Sequence, residues 1–255
     1  MNKALSITAA AALAGVTSLA AQAGDWTANV SVSNNYLWRG LTQSKNQPAV
    51  SGGIDYAHES GFYVGTWVSN VEYANGPGAA GDAFSYENDL YIGYAGEYNG
   101  ISYDLGYLYY NYDEEADIDF GEIYGSLGYK NFTVGANLFA HTEYDESNGL
   151  ALPWGKRYDF GFGSAYYVYA DYAYEIKEGL ELGLHVGYHN GDFVEAFNFI
   201  DGRTDDYVDY NISLSKGGFG FVVSHTDLGD NRAGDDGLQN GSVKFVVSYT
   251  VDFDL

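Results

Sequence analysis

Acidic side chains recur along this sequence at alternating positions, the spacing that sets them on one face of an extended strand. Asp55, Glu87, Asp89, Asp104, Glu122, Asp159, Asp171, Glu175, Glu181 and Asp209 follow that spacing, with Lys244 as a rare cation among them and Arg39 near the start of a loop. Acids lining a narrow, water-filled space attract cations and repel anions, because a low-dielectric wall focuses their field. Two further groups invite chemistry. Asp113, Glu114, Glu115, Asp117 and Asp119 are clustered oxygens that suit a hard divalent cation, although their spacing is not that of an EF-hand loop, and a solvated acidic loop is the favoured reading. His141 and His189 have the same parity as the acids, with Glu143 and Asp192 nearby, so a His–carboxylate pair activating water is chemically reasonable. Two strands that end in His are common by chance and the sequence shows no partner geometry, so the expectation is a protein that is not an enzyme and holds no cofactor.

The elements that would position these groups are strands. Trp26, Ala28, Val30, Val32, Tyr36 and Trp38 alternate with Thr27, Asn29, Ser31, Ser33 and Asn35. The same period of two returns over Tyr86–Tyr98, from Ile101 to Tyr109, over Leu180–His189, over Val208–Leu214 and from Val243 to Leu255. Less regular segments lie at Pro48–His58, Phe62–Tyr73, Phe120–Tyr129, Phe132–His141, Tyr158–Ile176 and Phe219–His225, the fifth too long for one spanning strand. Five short turns (Glu59-Ser60-Gly61, Asn99-Gly100, Lys130-Asn131, Lys177-Glu178-Gly179, Lys216-Gly217-Gly218) alternate with six longer loops near 39–47, 74–85, 113–119, 142–157, 191–205 and 227–241. Twelve strands with apolar residues facing out, polar residues facing in and loops that alternate in length describe an all-β fold: a transmembrane antiparallel up-and-down β-barrel.

Composition agrees. The 255 residues include 26 Tyr and 34 Gly but 3 Pro and no Cys, so neither disulfides nor Cys-based metal motifs are possible. A net charge of −24 excludes a nucleic-acid partner, which would need Lys and Arg for its phosphates. Residues 1–23, with Lys3, an Ala-rich apolar run and Ala21-Gln22-Ala23, read as a cleaved signal peptide, leaving 24–255 as the barrel. The expected location is the bacterial outer membrane. Expected partners are its lipid and lipopolysaccharide, small solutes, and the assembly machinery, which would recognise the C-terminal strand ending at Leu255.

The segment from Asn34 to Tyr73 contains Tyr36, Arg39-Gly40, Thr42-Gln43-Ser44, Pro48-Ala49, Gly52-Gly53, Tyr56 to Gly61, Trp67 and Ser69-Asn70. It resembles the opening block of the TorF-like family of Gram-negative outer-membrane porins. That resemblance implies a barrel of twelve-strand size and a channel role, and supplies no substrate. The combined expectation is a porin-like channel for passive diffusion of small hydrophilic solutes, with cation preference. The alternatives are a structural or surface-interaction barrel whose lumen is plugged by Tyr110, Tyr112, Phe139 and Tyr167, and an outer-membrane hydrolase.

Overall fold

The computed structural model describes residues 26–72, 85–113, 119–143, 158–197, 199–200, 203–204, 206–229 and 238–255. The expected signal peptide, residues 1–23, lies outside them. Twelve strands follow in chain order: β1 Trp26–Ser33, β2 Ala49–Ala57, β3 Phe62–Asn70, β4 Tyr86–Tyr98, β5 Ile101–Tyr112, β6 Phe120–Tyr129, β7 Phe132–Thr142, β8 Ala165–Lys177, β9 Leu180–Gly191, β10 Tyr207–Lys216, β11 Phe219–Thr226 and β12 Lys244–Asp254. Each pairs antiparallel with its neighbours in sequence, and β12 pairs with β1, so the sheet closes on itself as a barrel without edges. A short helix, α1 (Asp192–Phe197), and two two-residue hairpins lie in the loops.

The outer wall is apolar and exposed. Val30, Ile54, Val64, Leu90, Ile92, Leu105, Ile123, Val134, Val168, Val186, Ile212 and Val247 all face outward with large accessible surface. An apolar patch that encircles the molecule is intolerable in water and is what a bilayer requires. At the short-turn end this belt finishes in aromatic pairs, with ring centroids 5.1 Å apart for Trp26 and Tyr56, 4.9 Å for Phe62 and Tyr94, 4.7 Å for Phe132 and Tyr172, and 4.6 Å for Phe219 and Tyr249. That is the girdle expected at a membrane–water boundary. Ile92 stands at the centre of β4 on this belt, paired with Val64 and Tyr107. Ile92→Arg is therefore expected to cost about 2–4 kcal/mol in urea unfolding from lipid vesicles. Asn111→Arg at the strand end should cost far less.

The abundance of Gly and Tyr has a local cause on the inner wall. Tyr63, Tyr91, Tyr124, Tyr169 and Tyr167 each lie flat across an inward glycine of the adjacent strand: Gly93, Gly65, Gly106, Gly135 and Gly187 respectively. A Cβ at any of these glycines would overlap the ring. The tyrosines occupy β3 to β8, whereas β11, β12, β1 and β2 present Ser224, Ser248, Ser31, Ser33 and Ser51 inward. The lumen is thus lined by rings on one side and by small hydroxyls on the other.

Three expectations need correction. First, β1 ends at Ser33, short of Trp38. The side chain of Asn34 donates to the Phe245 carbonyl (3.0 Å) and accepts from the Val247 amide (2.7 Å), taking over the ladder of β12, and the chain turns into the barrel. Tyr36 and Trp38 therefore leave the outer face. Second, the long eighth segment divides: β8 starts at Ala165, and residues 158–164 fold over the mouth, where Gly163 has φ +78° and Phe160 is buried. Third, a bulge where Gly121 and Glu122 face β7 reverses the parity beyond Phe139. His141 consequently lies on the outer face, 2.6 Å from the Tyr107 hydroxyl and stacked on the rings of Tyr107 and Tyr109.

Candidate functional site

The loop joining β1 to β2, residues 34–48, fills the lumen. Its core is a hairpin in which Leu37 and Trp38 pair with Thr42 and Leu41. The two residues between them, Arg39 and Gly40, have φ of 48° and 81°, as a type I′ turn requires. Gly is suited to that conformation and Arg is not, so the side chain at position 39 must compensate elsewhere.

It does so on the opposite wall. Nη1 and Nη2 of Arg39 donate to Oε1 and Oε2 of Glu122 on β6 at 2.9 and 2.5 Å, a bidentate pair in which both side chains are buried. Nη1 also lies 2.9 Å from Nε2 of His189 on β9. Because a guanidinium only donates, that nitrogen accepts, and the imidazole proton sits on Nδ1, 3.3 Å from the Tyr207 hydroxyl. The guanidinium carbon is sandwiched between the rings of Trp38 (4.3 Å) and Tyr167 (4.4 Å). Burial alone would lower the Arg39 pKa, but the Glu122 carboxylate reverses this and holds the group above its ordinary value. Asn137 and Tyr110 complete the seat by donating to Glu122 Oε2 at 3.0 and 3.3 Å.

The rest of the loop is tied to the remaining walls. The Tyr36 hydroxyl donates to Glu87 on β4 (2.7 Å), and its ring meets Trp67 of β3 edge-on. Leu37, fully buried, packs on the inward Val222 of β11 and Val246 of β12. Trp38 packs on Tyr110 of β5 and Phe120 of β6. Gly40 lies against Asp209 of β10 and Thr226 of β11 so closely that a Cβ would collide with both. A segment rooted between β1 and β2 thus touches the inner faces of nine of the other ten strands; the tenth, β7, reaches it through Asn137 and Glu122. Phe193 of α1 packs on Phe120 and Phe139, and Phe160 packs on Phe193, so that the two close the mouth above.

The sequence-predicted residues separate into three groups. Arg39, Glu87, Glu122 and Asp209 converge on the loop, as does Asp89, 1% exposed, whose Oδ1 has no hydrogen-bond partner among the described residues. Lys244 is also buried, donating to Asn46 Oδ1 (2.7 Å) and the Leu238 carbonyl (2.5 Å), so it ties the first loop to the last. Below the loop lies a half-exposed vestibule with Asp104, Asp171 and Glu181, and Glu175 stands exposed at its short-turn rim. Asp55 accepts there from Tyr91, Asp104 accepts from Tyr63 (2.6 Å), and His185 links Asp171 (2.6 Å) to Asp209 (3.1 Å). Asp159 belongs to the chain folded over the mouth, where its Oδ1 accepts from the Gly161 amide.

Of the loop acids, Asp119 is buried rather than solvated, accepting from Tyr109, Asn111 and the Tyr112 amide, and Asp113 accepts from Ser85. Glu114, Glu115 and Asp117 lie outside the described residues. Among the described residues no three His, Asp or Glu side chains converge as a metal cage.

What parity could not reveal was the hairpin itself. Its trace in the sequence is the apolar residues on a supposedly polar face: Leu108, Phe120, Phe139, Val222 and Val246 point inward because something packs on them.

Solved structures share this architecture. They include the KdgM porin (10% identity, TM-score 0.50, 90% of this chain and 99% of that one), the NanC porin (8%, 0.52, 89% and 100%) and the COG4313 outer membrane channel from Pseudomonas putida F1 (12%, 0.51, 92% and 97%). At such identities the likeness is one of fold. No curated protein sequence matches the chain. The profile of the family described as "Bacterial protein of unknown function (Gcw_chp)" matches residues 18–247, and the chain belongs to that family.

Proposed function

We propose that this protein is a channel of the bacterial outer membrane for small hydrophilic solutes, prefers cations, and rests in a closed state sealed by its first loop. The observation that carries this reading is the hairpin from Leu37 to Thr42, which spans a polar lumen to reach the wall opposite its root through one buried ion pair. The seal is a separate segment of loop rather than side chains of the wall, and it rests above a half-exposed vestibule. The porin fold and the TorF-like block from Asn34 to Tyr73 support the same reading. The expected setting is an outer membrane with lipid and lipopolysaccharide around the belt, and no chemistry on the solute is proposed.

Cation preference follows from Asp104, Asp171 and Glu181 in the vestibule, where the basic side chain His185 is already shared between two carboxylates. In planar bilayers with a KCl gradient, openings are expected to reverse on the potassium side of zero. Asp104→Asn with Glu181→Gln should move that potential toward zero; an anion-side reversal would contradict the preference.

A second reading is favoured by one observation, the near-complete burial of the lumen around Arg39 and Glu122: a permanently plugged structural barrel. It predicts silence in bilayers whatever the first loop contains.

A further inference from the structure

Remove the first loop in thought, and the wall keeps a shaped site. Glu122 offers two carboxylate oxygens in one plane, fixed by Asn137 and Tyr110. Tyr167 offers a ring face, and its hydroxyl is held by Asp209 at 3.0 Å. His189 offers an acceptor nitrogen. These are the elements that recognise a guanidinium: bidentate oxygens, a π face and an in-plane acceptor. Beyond the partners of Arg39, the wall here holds a further buried acid. Asp89 is buried beside it on β4, in register with Tyr110, and its Oδ1 is left without a donor among the described residues. A buried carboxylate oxygen without a partner costs several kcal/mol, so such groups ordinarily mark a missing cationic or donor group.

We propose that Arg39 is a tethered stand-in for the transported solute, and that the wall seat of Glu122, Tyr167 and His189, with Asp89 beside it, binds a small organic cation carrying a guanidinium or ammonium group. This rests on the channel reading and names its solute class. Displacement of Arg39 by such a cation would couple arrival of the solute to release of the hairpin, because the seat cannot hold both. The strained φ of Arg39 favours release once its side chain is out.

The test reads binding without current. Detergent-folded Arg39→Ala and Arg39→Gly proteins, the second compatible with the positive φ at this position, are titrated with methylguanidinium chloride and followed by thermal unfolding, with NaCl at equal ionic strength as reference. Both variants should be stabilised by methylguanidinium well beyond NaCl, the wild type should not, and adding Glu122→Gln should weaken the half-saturating concentration at least about tenfold. Equal responses to the two salts in a folded variant, or a response that survives Glu122→Gln, would overturn the proposal. A variant that binds methylguanidinium yet passes no current keeps the seat and refutes the channel; one that conducts without binding refutes the seat and keeps the channel. If neither Arg39 variant folds, the barrel in which residues 37–42 are replaced by a short Gly-Ser connection is titrated the same way: stabilisation by methylguanidinium that is lost with Glu122→Gln supports the seat, and equal responses to the two salts overturn it.

Discussion

Replacing Arg39 by Ala is expected to turn a barrel that conducts rarely into one that conducts most of the time. The hairpin is rooted on one wall and latched on the other, and the latch is a desolvated guanidinium–carboxylate pair. Exposed ion pairs contribute little, but deleting one member of a buried pair leaves the other charged and unsatisfied, at a cost of about 3–5 kcal/mol. Here the abandoned group is Glu122, with no other Arg or Lys reaching it among the described residues. That cost falls on the closed state, because water can solvate the carboxylate once the hairpin lifts. Two to three and a half decades in the closed-to-open ratio follow, at about 1.4 kcal/mol per decade. Single-channel recording gives the open fraction directly. Glu122→Gln should have a smaller effect in the same direction, since the neutral amide still accepts one bond. An Arg39→Ala barrel as silent as the wild type would show that the latch does not hold the seal.

The second large effect belongs to a glycine. Gly187→Leu places a side chain where the Tyr167 ring lies, and even its Cβ would overlap the Tyr167 hydroxyl and ring. Overpacking of this kind costs about 1–3 kcal/mol where neighbours can shift, and here the neighbour is itself fixed by Asp209 and His185. Tyr167 also forms one face of the Arg39 sandwich, so the variant should lose stability and seal together: a lower urea midpoint in vesicles and a raised open fraction in the molecules that fold. Gly125→Ala is the control. An added Cβ there meets its nearest neighbour at 3.6 Å, ordinary contact, and stability should be unchanged within about 0.5 kcal/mol. Equal losses in both variants would mean that inward Tyr–Gly packing has no special role in this wall.

The barrel was legible in the sequence because its cause is local. One face of each strand meets lipid and the other the lumen, and a period of two records that for Leu90 and Ile92 against Glu87 and Asp89 residue by residue. The turns were legible for a similar reason: Asn99-Gly100 and Gly217-Gly218 carry the positive φ values that such short connections demand. The seal was not, because its cause is long-range. Tyr36 and Trp38 continue the alternation of β1, and only the hydrogen bonds of Asn34 to β12, more than 200 residues away, turn the chain inward. Arg39 stands in the sequence only as a charge near the start of a loop, since nothing near it indicates Glu122 or His189. His141 was misplaced by one bulged residue, which reverses parity without leaving a mark in composition. Inward Val222 and Val246 were the available clue, apolar side chains facing a space that should be wet.

The central claim is that the lumen is a path closed by the first loop, and shortening that loop tests it most directly. A barrel in which residues 37–42 are replaced by a minimal Gly-Ser connection keeps all twelve strands and loses the hairpin with Arg39. In planar bilayers it is expected to show a large, steady conductance in discrete steps, with cation selectivity retained, while the wild type stays mostly closed under the same conditions. If the shortened barrel folds, inserts and remains as silent as the wild type, the lumen is closed by its own wall and the first loop is not its gate.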